Sequence, residues 1–593
     1  MYLLSRDKVQ RVFVAARRVS AGNAWARATA LCLAVPVAGH AQPSGDLPSD
    51  ARRATDPSPT PLQPRPNLSA EPRVTPPPAP APGEARFLIQ GFDVSGNTLL
   101  DQGVIERTVY PFVGPDRTVA DVERARAALE NVYRARGFQS AFVAQQGATD
   151  DNYVRLVVSE AAVGRLRVSG ANYYSPGAVR AQVPALEEGA VPNLTEAQRE
   201  LAALERTGPD RRVTPEITPG IVPGTIDVTL RVEDSLPLHA SVSFTNDHSP
   251  NTGPYRILAN ARATDLWQLG HTLSFTYLVD PQKRSDAEVY AASYLAPIDN
   301  SPWSVLIYGY KANNNVALLG GSTVLGNGYA IGVRGILAMP RTGNWSHSFN
   351  FGADYKDFAQ DTVLPGSGLV RAPVRYVPAQ LAYSAQRAGD QTTLSTTLSV
   401  TAGLRAFDEI ADTGQKDIAG NPIFLPVFDN SRFGARENFV HVNAEIEWNR
   451  TLKDDTRLIA RGAAQYADGP LIANEQFSAG GIASVRGYLQ SEAVGDDGFS
   501  GTLEARTPSF NSFAPHQLTE LRGFAFLDGS YVAVRQPLAG QTQDFSLLGL
   551  GVGLRAAMYR FLTGDVQLAV PMFDGQYTRH GDFNVQFNVK AEF

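Results

Sequence analysis

Apolar and polar residues alternate strictly in many segments between Leu238 and the C-terminus. Every second position from Val440 to Trp448 is apolar, and the positions between them hold His, Asn or Glu. The chain ends in the same pattern, with an apolar residue at every second position from Phe583 to Phe593. Segments of about ten residues that alternate in this way, separated by turn residues, are typical of transmembrane β-barrels.

The length of this region predicts the size of the barrel. Residues 238–593 provide about 16 such segments, each with its connection. We therefore predict a membrane all-β fold, a 16-stranded transmembrane antiparallel β-barrel. A soluble β-sandwich is the alternative, but it would not need 356 residues in one sheet or an aromatic final residue. The chain has no run of 18 apolar residues, which excludes a bundle of transmembrane helices.

A weak internal repeat precedes the barrel. Val94-Ser95-Gly96 and Val168-Ser169-Gly170 align at an offset of 74 residues. Each copy predicts a strand, two helices and two further strands; the longest helix is expected from about Val119 to Arg136. We therefore predict two soluble α+β modules, over residues 86–162 and 163–237.

The N-terminus has the composition of an export signal. Six basic residues precede the apolar run Ala28–Ala38, which is too short to span a bilayer, and small residues follow it up to Ala41. We predict a signal peptide over residues 1–41 and a Pro-rich, disordered linker over residues 42–85. The single cysteine, Cys32, lies in the predicted signal, so the mature chain can have no disulfide and no catalytic thiol.

Charge and motifs argue against nucleic-acid binding and catalysis. The formal net charge is −6, and removal of the basic signal makes it more negative, which is not the balance of a nucleic-acid-binding protein. The chain contains no H-E-x-x-H metal motif, no phosphate-binding P-loop and no G-x-S-x-G nucleophile elbow. Gly549, Gly551 and Gly553 fall in a predicted strand, where small residues that line a lumen explain them better than a dinucleotide site. We expect no catalytic residues, no metal and no cofactor.

One long connection, residues 467–499, differs from the other turns. It contains a four-residue motif: Val485, Arg486, Gly487 and Tyr488. The next strand carries Glu504, and the strand after it carries Phe526, Asp528 and Gly529. A buried arginine needs a carboxylate partner, and Asp528 is a candidate. From the residues alone, Arg486 is equally compatible with an exposed turn.

These motifs resemble a known superfamily. Val485-Arg486-Gly487-Tyr488 is similar to the loop motif of BamA-like outer-membrane barrels, and the two α+β modules resemble POTRA domains. Asn193-Leu194, the stretch 209–213 and the stretch 265–268 are similar to two-partner secretion transporters (TpsB; haemolysin and filamentous-haemagglutinin secretion proteins). The resemblance implies that the loop folds back into the barrel and that Arg486 pairs with Asp528 of an F-x-D-x-G motif. In this chain Ser530 stands at the final glycine position and Gly529 comes one residue early.

The resemblance also implies a function. It suggests a transporter in the outer membrane, with periplasmic POTRA modules that bind a partner exoprotein of adhesin or haemolysin type and a barrel through which the exoprotein passes. The other expected partners are outer-membrane lipids and the barrel-assembly machinery, which would recognise the terminal strand ending in Phe593. The alternative is a BamA-like insertase, although general insertases carry more POTRA modules. A plain porin would not need the modules, and an enzyme fused to a barrel would need a catalytic domain for which the chain has no room.

Overall fold

The computed structural model describes residues 86–593 apart from 149–151, 208–209, 300, 314–315, 318–322, 325–326, 365–367, 408, 511–517 and 560. The predicted signal peptide and Pro-rich linker therefore lie outside the described residues. The described chain forms two compact units. One contains the residues up to Leu238 together with Thr264–Gly270, and the other contains the rest.

The first module has the predicted helices and closing strands, but its first strand is divided into two short strands, and a further short strand lies between the helices. Its strands are β1 (Phe87–Ile89), β2 (Gly91–Ser95), β3 (Gly114–Arg117), β4 (Ala141–Ala148) and β5 (Tyr153–Glu160), and its helices are α1 (Gln102–Val109) and α2 (Val119–Ala135). A three-stranded sheet has the order β2-β5-β4, and β1 pairs with β3. α2 starts at a capping box, in which the Thr118 N–H donates to Asp121 Oδ2 at 2.9 Å. Its apolar face, with Leu129 and Tyr133, packs on buried residues of the sheet.

The second module repeats this architecture. Its strands are β6 (Ala162–Ser169), β7 (Arg211–Pro219) and β8 (Thr225–Asp234), and its helices are α3 (Pro176–Ala181) and α4 (Leu194–Thr207). The sheet order β6-β8-β7 is the one seen in the first module. The two α+β modules predicted from the sequence are therefore confirmed.

The repeat extends to individual hydrogen bonds. In the first module the Glu160 carboxylate accepts the backbone N–H of Thr98, at 2.9 Å. In the second module Asp234 accepts the backbone N–H of Asn172, at 2.8 Å. Both members of the second pair follow their counterparts by 74 residues. Each carboxylate fixes the turn after the first strand of its sheet by satisfying backbone donors that no strand reaches.

Sixteen of the described strands form one closed antiparallel barrel, as predicted. They are β9 (Leu238–Thr245), β10 (Arg256–Leu266), β11 (His271–Val279), β12 (Glu288–Pro297), β13 (Trp303–Asn313), β16 (Asn327–Ala338), β17 (Trp345–Leu364), β18 (Gly368–Ala388), β19 (Thr392–Leu404), β22 (Val440–Thr451), β23 (Arg457–Ala467), β26 (Asp497–Arg506), β27 (Leu518–Ala533), β28 (Asp544–Met558), β29 (Leu562–Pro571) and β30 (Asn584–Glu592). The loops contain a short helix, α5 (Val427–Ser431), and three short hairpins: β14 (Val316–Ala317) with β15 (Thr323–Val324), β20 (Ile410–Lys416) with β21 (Pro422–Pro426), and β24 (Phe477–Ala479) with β25 (Ala493–Gly495).

Alternate residues of the barrel strands face the lumen. In β27 the side chains of Phe526, Asp528 and Ser530 are buried, whereas Leu527 is exposed on the outer surface. Polar side chains therefore line much of the interior, and apolar side chains form the surface that lipid covers. No helix within the described ranges is long and apolar enough to cross a membrane.

The barrel closes where its last strand meets its first. β30 pairs with β9 from Asn588 opposite Thr245 to Glu592 opposite Ser241. Phe593 extends this pairing, because its N–H donates to the Ala240 carbonyl at 2.8 Å and its own carbonyl accepts the Ala240 N–H at 3.0 Å. Closure satisfies backbone groups that an open sheet edge would leave unpaired in lipid.

Candidate functional site

The connection between β23 and β26, residues 468–496, folds into the barrel. We call it the lumen loop. Its Val485 and Tyr488 side chains are fully buried, and they pack against Val532 of β27 and Leu547 of β28. The loop therefore occupies part of the interior that the strands enclose.

Arg486, near the tip of this loop, binds Asp528 on the barrel wall. Its Nε donates to Asp528 Oδ2 at 2.7 Å and its Nη2 donates to Oδ1 at 2.9 Å. The backbone N–H of Arg486 also donates to Oδ2, at 3.1 Å. Both side chains are buried, so the planar guanidinium and the carboxylate form a bidentate pair away from solvent. The structure thus places Arg486 inside the barrel, not in an exposed turn.

Two further groups complete the environment of the guanidinium. Its Nη1 donates to Glu504 Oε2 at 2.6 Å, and its central carbon lies 3.5 Å from the centre of the Phe526 ring. Glu504 and Phe526 are direct partners in the β26–β27 register, and Asp528 is the next lumen-facing residue along β27. Sequence reasoning did not assign Glu504 to this site. The alternation of β26 indicates that Glu504 faces the lumen, but only the register puts it beside Phe526.

Gly487 and Tyr488 extend the contact along the barrel wall to the neighbouring strands. Gly487 has φ +95°, a conformation that residues with a Cβ rarely adopt. The Tyr488 hydroxyl lies within hydrogen-bonding distance of the backbone of Leu548 and Phe573, donating to the Phe573 carbonyl at 2.9 Å. These contacts tie the loop to β28 and to the loop after β29, which is a different part of the wall from Asp528.

The wall of β28 is shaped to admit the loop. A Cβ on Gly549 would lie 2.0 Å from the Arg486 carbonyl oxygen. A Cβ on Gly551 would lie 2.5 Å from the Phe526 ring, and one on Gly553 would lie 2.3 Å from the Phe524 ring. The three glycines therefore provide the space that the loop backbone and two aromatic rings occupy.

Comparison with known proteins assigns the chain to a family. The model of the haemolysin secretion/activation proteins ShlB/FhaC/HecB matches residues 224–556, and the model of ShlB-type POTRA domains matches residues 87–161. The chain belongs to the ShlB/FhaC/HecB family. A search of the curated proteins found no match.

Three solved structures have a similar fold. CdiB from Escherichia coli is similar with 19% identity and a TM-score of 0.58, over 88% of this chain and 93% of that one. CdiB from Acinetobacter baumannii is similar with 14% identity and a TM-score of 0.53, over the whole of both chains. BamA from Haemophilus ducreyi, lacking POTRA domains 1–3, is similar with 13% identity and a TM-score of 0.52, over 86% of this chain and 100% of that one. The family and fold place this transporter in the outer membrane, with its POTRA modules in the periplasm.

The transporter departs from the F-x-D-x-G pattern at Gly529 and Ser530, as the sequence indicated. Ser530 faces the lumen, is fully buried, and donates its hydroxyl to the Phe499 carbonyl at 2.8 Å. Gly529 pairs with Gly501 of β26 and Leu548 of β28. Ser530 therefore satisfies its polar group locally, and the contacts between Arg486 and Asp528 form without a glycine at that position.

Phe593 lies away from the lumen. Its side chain is 71% exposed, and its ring stacks on that of Phe561, with the ring centres 6.1 Å apart. Phe593 thus presents an aromatic ring outward beside the β30–β9 closure. In the part of the chain that the structure describes, no group of His, Cys, Asp and Glu side chains could hold a metal ion.

A second ion pair joins motif residues in the unit that contains the two α+β modules. Arg211 Nη1 lies 3.1 Å from Asp265 Oδ2, and both side chains are 1% exposed. The Arg211 guanidinium also lies over the Tyr174 ring, 4.6 Å from its centre. The two stretches that resemble the transporters, 209–213 and 265–268, are therefore joined by a buried ion pair.

Proposed function

We propose that this protein is an outer-membrane transporter that secretes a partner exoprotein of adhesin or haemolysin type. The POTRA modules capture the exoprotein in the periplasm, and the barrel provides its route to the cell surface. The family match across the barrel and the first POTRA module carries the proposal. The lumen loop supports it, because a loop held inside a barrel by a buried ion pair suits a regulated conduit better than a permanently open pore. The function proposed is transport and not catalysis.

We propose that capture occurs by strand addition to a sheet edge, because main-chain hydrogen bonds tolerate many sequences. The edge strand β7 is a poor site. The Ser235 N–H donates to the Asp210 carbonyl and the Gly220 N–H donates to the Thr225 carbonyl, both at 2.9 Å. In this register the backbone N–H and C=O groups of even-numbered β7 residues point towards β8. The backbone groups of odd-numbered β7 residues therefore point to the free edge. Two of these residues, Pro215 and Pro219, have no N–H that could pair with an added strand.

The opposite edge of the second sheet is covered by the module itself. The Val163 N–H donates to the Ala190 carbonyl at 2.9 Å, and the Gly189 N–H donates to the Val163 carbonyl at 2.7 Å. Farther along β6, the Leu166 N–H donates to the Glu188 carboxylate at 2.8 Å. An extended segment would have to displace these contacts before it could pair with β6.

The first module offers a better edge. β4 is an edge strand in the order β2-β5-β4, and it contains no proline. α2 covers this edge at Val143, whose N–H donates to Glu130 Oε1 and whose carbonyl accepts Arg126 Nη1, both at 3.2 Å, so the free part of the edge begins after Val143. Phe142 of this strand is 58% exposed and supplies apolar surface beside the edge. We therefore assign strand addition to β4 of the first module and a supporting role to the second.

Site-specific photocrosslinking tests this assignment. A photoreactive side chain would replace exposed Gln145 on β4 or, as the matched control, exposed Thr218 on β7. The probe is an N-terminal segment of a candidate exoprotein, co-exported to the periplasm. We expect a crosslink from position 145 and none from position 218. A crosslink from position 218 alone would overturn the assignment to β4. In a separate experiment, secretion that persists after deletion of Gly164–Asp234 would show that the second module is not needed for capture.

The alternative function is that of a BamA-like insertase, since the fold of BamA is also similar. The two functions predict different consequences of deleting the gene. Loss of a secretion transporter should abolish release of the one exoprotein and leave other outer-membrane barrels at normal levels. A general fall in the levels of other barrels would favour the insertase.

A further inference from the structure

The lumen loop has a second anchor, which lies on a different wall from Asp528. Glu475 sits in a short 3-10 turn, Ala473–Glu475, near the start of the loop. Its Oε1 accepts Lys356 Nζ at 2.7 Å and the Tyr376 hydroxyl at 2.6 Å, and its Oε2 lies 3.1 Å from His441 Nε2. These partners come from β17, β18 and β22. The carboxylate is buried and compensated on every side, which is what a buried charge requires.

A short helix of a neighbouring loop rests on this anchor. The Phe428 ring of α5 packs edge-on against Tyr376, with the ring centres 5.6 Å apart, and lies 6.3 Å from the Phe439 ring. Tyr376 therefore contacts Glu475 with its hydroxyl and Phe428 with its ring. Leu471 and Ile472 of the lumen loop join the same buried cluster.

This apolar cluster extends across several strands of the barrel. Its other buried members include Leu278, Val289, Phe358, Val374, Val427 and Ala467. They belong to strands from β11 to β23 and to the α5 loop. The cluster therefore joins α5 to apolar side chains of these strands and to the start of the lumen loop.

A polar contact secures α5 from the other side. Arg432, next to the helix, donates from Nη2 to Asp496 Oδ2 at 3.2 Å and to the Arg535 carbonyl at 2.9 Å. Asp496 is the last residue of the lumen loop, and it also accepts the Leu471 N–H at 2.8 Å. The helix and the lumen loop are therefore linked twice, through Tyr376 and Glu475 and through Arg432 and Asp496.

We propose that the α5 helix is a second gate of the conduit. Glu475 is the positioning residue, because it holds Tyr376, against which Phe428 of α5 packs. The inference rests on the proposed function. Apolar constrictions close pores by excluding water and ions, and they open when the apolar side chains withdraw. Withdrawal of Phe428 breaks contacts that are separate from the Arg486 site, so this gate opens while Arg486 stays bound to Asp528.

Ion conductance of the purified, full-length protein in planar bilayers tests the gate without any exoprotein. We expect Phe428→Ala to raise the conducting fraction several-fold and Phe428→Leu to keep it low. Phe433→Ala is the matched control, because Phe433 belongs to the same loop but is exposed. Glu475→Gln should raise conductance as Phe428→Ala does. Unchanged conductance in Phe428→Ala, with heat-modifiable migration showing a folded barrel, would overturn the proposal.

A reversible crosslink between the α5 loop and the lumen loop tests whether α5 must move during secretion. The mature chain is predicted to be cysteine-free, so Arg432→Cys with Asp496→Cys can be bridged by a short, cleavable thiol crosslinker. We expect crosslinking to stop secretion of the co-expressed exoprotein and cleavage to restore it. Normal secretion by the locked protein would overturn the gate. If the unlocked double variant and the parent protein both fail to secrete, the proposed function fails instead, and the conductance result still decides the gate.

Discussion

Arg486 and Asp528 are joined by three hydrogen bonds, two from the guanidinium and one from the Arg486 backbone N–H. The side chain and the main chain of the loop tip are thus held by a single carboxylate of β27. Glu504 adds one bond to the same guanidinium, and it also accepts Arg506 Nε at 2.7 Å. Asp528 therefore has the larger share in holding the loop, and Glu504 has the smaller one.

This asymmetry predicts unequal effects of neutralising the two acids. Removing one partner of a buried ion pair costs about 3–5 kcal/mol, because it leaves the other charge uncompensated. We expect Arg486→Ala and Asp528→Ala to impair secretion strongly and Glu504→Gln to impair it less. The double variant Arg486→Ala with Asp528→Ala should be no worse than either single one, since both break the same contact. Secretion assays on the four variants check this; defects that simply add would show that Arg486 does not act through Asp528.

The glycines of the barrel wall give a steric prediction. Gly549→Ala places a methyl group 2.0 Å from the Arg486 carbonyl, so the loop tip must move and secretion should fall. Gly529→Ala is the control, because its methyl group would meet nothing closer than 3.6 Å. Limited proteolysis of the folded protein should show a more accessible lumen loop in the first variant only. Equal protection in both would mean that the loop tolerates the added methyl group.

Asn193 gives a prediction for the POTRA modules. Its Oδ1 accepts the Thr195 and Glu196 N–H groups at 3.1 Å, which caps α4, and its Nδ2 donates to the Arg136 carbonyl at 3.0 Å. Loss of an N-cap costs about 1 kcal/mol, so Asn193→Ala should destabilise the second module by about that amount. Asn193→Ser keeps a capping oxygen and removes the donor to Arg136, so it should cost less. Chemical denaturation followed by a probe in the modules measures both.

Glu160 predicts how the first module responds to acid. Burial alone would raise the pKa of Glu160, but hydrogen bonds from Thr98, Tyr133 and the Leu99 N–H lower it below the ordinary value of 4.5. A carboxyl group whose pKa is lower in the folded state stabilises the fold above its unfolded pKa. That contribution is lost as the pH falls below about 4.5 and through the folded pKa. Hydrogen exchange of the Thr98 turn between pH 6 and pH 3 should show this loss, and Glu160→Gln should remove that part of the pH dependence.

The C-terminal strand carries the last prediction. Deletion of Gln586–Phe593 removes every residue of β30 that pairs with β9, so the barrel cannot close. We expect the truncated chain to be absent from the outer membrane and to lose heat-modifiable migration on a gel. Phe593→Ala keeps the closing hydrogen bonds, which are made by the backbone, and isolates the role of the aromatic ring in recognition by the assembly machinery. Normal outer-membrane levels of the truncated chain would refute the assignment.

The sequence alone determined the main elements of this protein. Period-2 alternation predicts the strands because one face of each strand meets lipid and the other meets the lumen, and this signal is local. The capping box at Thr118 and Asp121 likewise marks the start of α2 from residues three positions apart. The repeat of 74 residues predicted two similar modules, and the loop motif directed attention to Arg486 and Asp528.

Only the tertiary structure decided what these elements bring together. Glu475 meets Lys356 and Tyr376 across about a hundred residues of sequence, and no local pattern marks it. The role of Glu504 beside Arg486 depends on the register of β26 with β27, since a shift of one residue would turn Glu504 outward. The space at Gly549 exists because a loop from another part of the chain passes there. Such contacts depend on strand order and register, which alternation along one strand does not specify.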